Sequence, residues 1–435
     1  FQVYKKRARR LYKKFGRDII RILTINLNYA QINSSVPSII SIPWPDSYVK
    51  YVRGWNFVNF QWTTLFNVTC SGSGWDYRAT VALACAVPFI VLLLFSFLFL
   101  VKRCRAFSKL KKGLSKTALV DTAETIFSYM DKDQDGSIEE FELHQILKVI
   151  HSIPDDETFE TLDPLILDLR LKLIGEGNNI DEGLSEKLFV NAFAQNNFGN
   201  TDIGKKMIEW AVLQKVRSSM LSGGLLVLFL LHAPISQRIF HYFVCHDIAG
   251  RTFLKADYNI SCDSDMYKNF RILPIVMLAM FTAGFPVVIF LLLFINRNRL
   301  HTTSVKAQFG FLYSAFRPNR GEFWEVHELL RKLMLMGTLV LFESVRLKMV
   351  VALLVCVVSV ANLNYFKPHR NSIVQKVAQA SFLLTTCKYV LAIALVDVSE
   401  TEREVLGGVL VFLDICFVLG SLGSIVAVFY LLKSH

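Results

Sequence analysis

The chain has 435 residues, 53% of them hydrophobic, a formal net charge of +12 and a positive mean hydropathy. A pair of water-soluble domains would not need so much apolar surface, whereas several runs of about 20 apolar residues suit helices crossing the ~30 Å hydrocarbon layer. The Lys and Arg cluster beside those runs rather than on an aromatic-basic patch, which marks a cytoplasmic membrane face and sets nucleic acid aside as a partner.

Residues 1–17 hold eight Lys or Arg and no acid, the composition of a cytosolic segment beside a membrane. The first residue is Phe1, so the sequence is expected to continue a longer protein. Residues 18–40 are apolar but carry Arg21, Thr24, Asn28, Gln31 and Ser35 at steps of three and four, one helical face. Such a helix either spans with its polar stripe turned to other helices or lies in the interface. A clear span over 79–101, followed by Lys102, Arg103, Arg105, Lys109, Lys111 and Lys112, decides for spanning by parity, with Pro37 ending the first helix. The intervening outer segment holds Pro43-Trp44-Pro45, Trp55, Trp62, Trp75, Cys70 and a glycosylation sequon at Asn67. Residues 18–101 thus form one region of two spans and an outer loop.

The cytosolic stretch 102–220 contains Asp131-Lys-Asp-Gln-Asp-Gly-Ser-Ile-Glu-Glu-Phe-Glu142. This is the pattern of an EF-hand calcium loop. A hard cation needs several oxygens converging on one point, and here Asp131, Asp133, Asp135, the Ser137 carbonyl, Glu139 (through water) and Glu142 supply them, with Gly136 at the sharp turn. The competing reading is an acidic surface loop that matches by chance. Apolar faces on 122–130 and 141–150 call for a second hand. Residues 157–173 and 184–198 suit its two helices, and if Ile180 occupies loop position 8, positions 1, 3 and 12 fall on Leu173, Gly175 and Leu184, none of which binds calcium through its side chain. The module reads as a pair with one working loop, and Ca2+ is the expected cofactor. Residues 202–220 form an amphipathic helix with Met207, Ile208, Ala211, Val212, Val216 and Met220 on one face, leading into the third span.

Residues 221–435 read as six further helices, at about 221–244, 271–295, 322–342, 347–366, 373–396 and 404–432. Gly284 and Pro286 mark a kink in the fourth. The outer loop 245–270 carries Cys245, Cys262 and a sequon at Asn259. Both cysteines lie on the oxidising side and are expected to pair, with Cys70 a spare. Cys85, Cys356, Cys387 and Cys416 fall within apolar runs and are expected to pack there. Glu325, Glu328, Arg331 and Lys332 lie at helical spacings, suiting a cluster that snorkels to the inner surface. Lys388 and Asp414 both fall about 14 Å below the outer surface, where a lone charge is costly, so they are expected to form an intramembrane pair. His232 is a competing partner for Asp414, and either charge could face water alone. The expected fold is mainly α: a polytopic helical membrane protein of about eight spans with an inserted cytosolic EF-hand pair.

Three stretches resemble a known family: Ile42-Pro-Trp-Pro45; Cys245-His-Asp-Ile-Ala-Gly250 with Phe253-Leu-Lys-Ala-Asp-Tyr-Asn-Ile-Ser-Cys262; and Phe309-Gly-Phe-Leu-Tyr-Ser-Ala-Phe-Arg-Pro318 with Trp324-Glu-Val-His-Glu-Leu-Leu-Arg-Lys332. Together they resemble the C-terminal transmembrane module of large multi-pass proteins of protists and algae. The third is also similar to the TRP-like family of fungi, which includes the flavin-carrier proteins. The resemblance implies a TRP-related membrane fold and a role in calcium or cation transport; the inserted module lies outside the fungal pattern.

The expectation is therefore a calcium-regulated TRP-like cation channel in a eukaryotic plasma or ciliary membrane, surrounded by the lipid bilayer and assembled as a homo-oligomer or in a larger membrane complex. The loop between the fifth and sixth helices is too short for a re-entrant pore loop, which counts against a simple pore there. The other reading is a non-conducting calcium-responsive receptor or anchor, the membrane part of a larger extracellular-domain protein. No nucleophile–base arrangement, phosphate loop or zinc motif is present in the sequence, so an enzyme is not expected.

Overall fold

The structure is a computed structural model and describes residues 2–59, 76–111, 116–139, 142–143, 184–195, 201–318 and 320–433. Its helices in chain order are α1 (Gln2–Ile39), α2 (Asp46–Arg53), α3 (Tyr77–Lys111), α4 (Lys116–Met130), α5 (Glu186–Gln195), α6 (Asp202–His241), α7 (Asp265–Phe270), α8 (Ile272–Met277), α9 (Gly284–Ile295), α10 (Thr303–Tyr313), α11 (Trp324–Met336), α12 (Val345–Phe366), α13 (Ser372–Ala394) and α14 (Glu400–Lys433). Among the described residues five short strands make two sheets: β1 (Ser137–Ile138) pairs with β2 (Leu184–Ser185), and β3 (Cys245–Ile248), β4 (Arg251–Leu254) and β5 (Asp257–Ser261) form an antiparallel meander. The sequon at Asn67, Trp62, Trp75, Cys70, the expected helix over 141–150 apart from residues 142–143, and residues 157–183 of the second-hand region lie outside the described residues; the sequon at Asn259 lies within them.

The chain divides into two compact units: residues 1–90, 227–294 and 312–435, and residues 91–226 and 295–311. Helices α3 and α6 contribute to both. Six helical stretches among the described residues are long and apolar enough to cross a membrane: Tyr77–Leu110, Asp202–His241, Asp265–Ile295, Val345–Phe366, Ser372–Ala394 and Glu400–Tyr430. The two other expected spans differ, one by polarity and one by length. Helix α1 carries its polar stripe through the middle. Helix α11 has 13 residues, about 20 Å at 1.5 Å per residue, and continues only as a 3-10 turn over Thr338–Leu341.

The first unit has apolar groups outside and polar groups inside. Leu354, Val358, Phe412, Leu419 and Tyr430 are exposed, whereas Arg21, Asn28, Gln31, Glu325, Glu328, Arg331, Lys332, Lys388 and Asp414 are buried. In water this would be upside down; in lipid it is the expected order, because polar groups find partners only within the bundle. Helix α1 is buried almost all round from Asn28 to Val36 and packs against α11, α13 and α14. It runs as one helix through the basic segment and ends at Ile39, two residues past Pro37.

The kink expected near Gly284 is a π-helical turn over Leu278–Ala283. Pro286 has no N–H to give the carbonyl of Thr282, four residues back, and the widened turn accommodates its ring. His232 Nε2 fills the vacancy, 3.0 Å from the Thr282 oxygen. Its ring lies 5.4 Å from those of Phe281 and Phe285. That commitment removes His232 as a partner for Asp414.

The segments between the apolar helices carry regular structure of their own. Pro45 caps α2, and Glu404 at the start of α14 accepts from the Asp46 amide at 2.7 Å and the Ser47 hydroxyl at 2.9 Å. A Cβ on Gly407 would stand 2.4 Å from Cβ of Pro45, so only glycine lets α14 pass the Pro-Trp-Pro segment this closely. The loop 245–270 folds into β3–β5; its first turn places Ala249 and Gly250 at φ 53° and 80°, as a tight hairpin requires.

In the second unit the order is the familiar one. Ala123, Ile126, Phe127 and Met130 of α4, Ile138 of β1, Leu184 of β2, Phe189 and Phe193 of α5, and Met207, Ile208 and Ala211 of α6 form one apolar core. The amphipathic linker helix and the third span are a single 40-residue helix, α6.

Candidate functional site

The acidic loop begins where α4 stops. Gln134 and Gly136 take positive φ, 65° and 92°, and the turn they make folds the loop back on itself. Amides point inward onto the carboxylates: Gly136 N donates to Asp131 Oδ2 at 3.2 Å, Asp135 N to Asp133 Oδ1 at 3.2 Å, and Lys132 N to Glu142 Oε1 at 2.6 Å. Carboxylate oxygens of Asp131, Asp133 and Glu142 all lie within 4.8 Å of one another. Asp135 turns instead onto Ser137, accepting from its amide at 2.7 Å and its hydroxyl at 2.9 Å, and Glu139 is exposed.

Two features show that this cluster is not balanced by the protein itself. Asp131 Oδ1 is buried and has no hydrogen-bond partner. Burial pushes the Asp131 and Glu142 carboxyls up from their ordinary range, and the charge of Asp133 beside them adds to the effect. Three hard oxygens around one point, one of them orphaned, fit a divalent cation such as calcium, which takes oxygen ligands at 2.3–2.6 Å in flexible geometry.

The neighbour of the loop corrects the sequence reading. Ile138 pairs with Leu184, and Ser137 with Ser185, so the residue that meets Ile138 is Leu184, not the expected Ile180. The register moves by four. A second loop in that register would have Gly177 at position 1 and Leu188 at position 12, without side-chain oxygens, but Asn179 at position 3 and Asp181 at position 5, which carry them. Helix α5 starts at Glu186, two residues after the expected start. Gln134 Nε2 also donates to the His301 carbonyl at 2.5 Å, and burial lowers the Lys132 ammonium with Arg299 near enough to add to the shift. The loop therefore touches the basic segment that follows α9 as well as sharing a core with α6.

The first unit holds two buried charge clusters. In one, Lys388 Nζ of α13 stands 2.6 Å from Asp414 Oδ1 and 2.7 Å from Oδ2 of α14, and the Tyr29 hydroxyl of α1 donates to Oδ1 at 2.5 Å. The ammonium also lies 5.0 Å from the Tyr29 ring centroid and 5.6 Å from that of Tyr48. The pair is thus a triad tied to α1. The sequence carried no signal for Tyr29 beyond its place on a crowded helix.

The second cluster overturns the snorkelling expectation. Glu325, Glu328, Arg331 and Lys332 of α11 are all buried. Arg331 donates to Glu328 at 3.0 Å, with its guanidinium carbon 3.9 Å from the Phe382 centroid. Arg21 of α1 pairs with Glu325. Lys332 reaches Asn28 Oδ1 at 3.0 Å and Gln31 Oε1 at 2.6 Å. These charges sit inside because α1 brings a complementary face; the polar stripe of α1 and the charged face of α11 were each visible in the sequence, but not that they meet.

Cys245 and Cys262 form the disulfide expected of them, with Cα atoms 6.5 Å apart. Asn259 is exposed on β5, accessible to a glycan. Of the cysteines expected to pack within the spans, Cys85 and Cys356 are buried, whereas Cys387 and Cys416 are exposed on the apolar outer surface, where a thiol behaves as a small hydrophobe.

Comparison of the chain with protein-family models, with curated proteins and with solved structures gives no match.

Proposed function

We propose that the chain is the membrane part of a calcium-regulated, TRP-like cation channel. The observation that carries the calcium half is the converging set of Asp131, Asp133 and Glu142 with the orphaned Oδ1 of Asp131. Those residues would hold the ion, with Asp135, Ser137 and Glu139 completing the EF-hand set. A bound calcium ion supplies the positive charge that this cluster lacks. The chain's own residues provide the route onward: the helix ending at Asp131 shares its core with Met207, Ile208 and Ala211 of α6, which continues unbroken into an apolar span. Gln134 meets the His301 carbonyl on the segment after α9, a second route.

The conduction half is supported by the buried charges of α1, α11, α13 and α14, since ionisable groups within a membrane bundle mark ion pathways more often than structural glue. Flux of sodium or potassium through the full chain in liposomes, measured across calcium concentrations and voltages, tests it. A calcium-dependent current supports the channel; its absence under every condition, in vesicles whose protein still binds calcium, removes it.

A second reading rests on the disulfide-closed sheet β3–β5, which exposes His246, Asp247 and Tyr258. Such a rigid outer platform suits a non-conducting, calcium-responsive receptor or anchor. Calcium binding without any current favours it.

A further inference from the structure

Between α1, α14 and the outer segment 51–58 lies a cavity of about 230 Å³. Its walls are mostly apolar, with Leu27, Val52, Val58 and Val418 among them. At its rim stand Leu23 and Leu422, about half exposed at 50% and 48%, on the outer surface of the bundle. Leu422 belongs to a stretch apolar enough to cross a membrane. The cavity therefore opens sideways, toward what surrounds the helices rather than toward one end.

Most polar groups lining it are already used. Asn26 donates to the Ile22 carbonyl and accepts from Ser421. Ser34 donates to the Ala30 carbonyl and accepts from Asn59. Tyr29 and Lys388 occupy both oxygens of Asp414. Asn33 is the exception. It is 5% exposed and lines the cavity; its Oδ1 has no hydrogen-bond partner, and its Nδ2 is met only by a weak contact with the Tyr29 hydroxyl. A buried amide oxygen left without a donor is costly unless something enters and meets it.

What enters can be narrowed chemically. A carboxylate could accept from Nδ2 but would set a second anion against Oδ1. An ammonium could donate to Oδ1 but would set a cation against Nδ2. A hydroxyl does both through one oxygen and brings no charge into the apolar site. The volume, somewhat below the range usual for ligand pockets, suits the polar end and first carbons of a longer apolar molecule whose remainder leaves between Leu23 and Leu422.

We propose that this cavity is a binding site for a neutral membrane lipid with a free hydroxyl, a sterol or a diacylglycerol, whose hydroxyl is held by Asn33. The site lies against the Tyr29–Asp414–Lys388 triad, so occupancy would bear on the packing of α1 and α14. It does not depend on the protein being a channel or binding calcium.

The test uses the full chain in phosphatidylcholine vesicles containing either a diazirine-bearing sterol or a diazirine-bearing diacylglycerol, with peptide mapping after illumination. Adducts concentrated in residues 23–34, 51–58 and 414–422 are expected for at least one probe. Labelling by that probe's methyl ether, and labelling of Asn33→Leu, should each fall about tenfold, the equivalent of one buried hydrogen bond. Leu422→Trp, a change at the exposed rim, should lower labelling without loss of thermal stability and carries the test if Asn33→Leu does not fold. Labelling by one probe alone identifies the source of the hydroxyl. Adducts spread evenly over the exposed helix faces, equal labelling by the methyl ether, or labelling unchanged in both variants would each overturn the proposal.

Discussion

The two units of this chain solve the same problem in opposite ways. Around the acidic loop, Phe127, Phe189, Phe193 and Met207 are buried and the charges are mostly outside. In the bundle of α1 and α11–α14, leucines and phenylalanines face outward and the charges are paired inside. The backbone rules are identical in both. What differs is the solvent each surface meets: water removes the reward for burying a charge, whereas hydrocarbon leaves a charge no partner except another side chain. Hydrophobicity should therefore stabilise the first region and ion pairing the second, and mutations of equal size should have opposite rankings in the two.

The largest effect should come from breaking that ranking at its centre. Lys388→Ala leaves Asp414 buried with only the Tyr29 hydroxyl, and removal of one partner of a buried pair costs about 3–5 kcal/mol. Thermal unfolding of the detergent-solubilised chain should fall sharply. The exchange Lys388→Asp with Asp414→Lys should recover part of what either single change loses. In the second unit the comparable loss should come from an apolar truncation, Phe189→Ala, at about 3–5 kcal/mol. A Lys388→Ala chain as stable as the parent would end the claim that pairing holds the bundle.

The disulfide comes next. Cys245 and Cys262 are separated by 17 positions, and closing a loop of about that length is worth about 3 kcal/mol. Cys262→Ser should lower the melting temperature and raise proteolysis within β3–β5, while calcium binding stays unchanged. Equal loss at both places would mean that the two units do not respond separately.

How far these features were legible depends on the range of the interaction that makes them. The apolar runs at 79–101 and 347–366 were readable because a run of that length is its own signal. The clustering of Asp131, Asp133 and Glu142 was readable because these carboxylates are spaced within twelve consecutive residues. Lys388 and Asp414 could be set at one depth by counting from the ends of a tight connection. The burial of Glu325 and Lys332 was not readable, because it depends on Arg21, Asn28 and Gln31, some 300 positions away. The pairing of Ile138 with Leu184 was missed by four residues, since an apolar position 8 is marked by no charge and Ile180 suited it equally well. Strands β3–β5 are four or five residues long, too short for alternation to stand out.

A medium effect is expected at the acidic loop, where the comparison can be sharpened because the same charges are unpaired by the protein. Glu142→Gln removes one anion but keeps an oxygen able to accept from Lys132 N. It should weaken calcium binding by about tenfold to a hundredfold, the scale of one charge-assisted contact, while protein stability without calcium holds or rises. Titration calorimetry on the full chain should give one calcium per chain in the parent. Two per chain, or an affinity unmoved by Glu142→Gln, would assign the site elsewhere. An affinity for magnesium equal to that for calcium would make the loop a folding element instead of a sensor.

The smallest effect should appear where the bundle meets its polar boundary. Asn371 caps α13: its Oδ1 accepts from the Ile373 amide at 2.9 Å, and its Nδ2 donates to Asp18 Oδ2 of α1 at 2.8 Å. Chemically these contacts resemble those holding Lys332 on Asn28 and Gln31, but Asn371 is half-buried whereas Lys332 is fully enclosed. If the surroundings and not the bond type set the value, Asn371→Ala should cost about 1 kcal/mol, the ordinary value of a helix cap, because water replaces what is lost. Asn371→Ser keeps a capping oxygen and gives up only the reach to Asp18, so it should cost less than the alanine change. Lys332→Met, which leaves two amide oxygens enclosed without a donor, should cost more than either. Unfolding of the three variants in one detergent gives the order directly. An Asn371→Ala loss equal to that of Lys332→Met would show that position in the bundle does not scale the strength of its polar contacts.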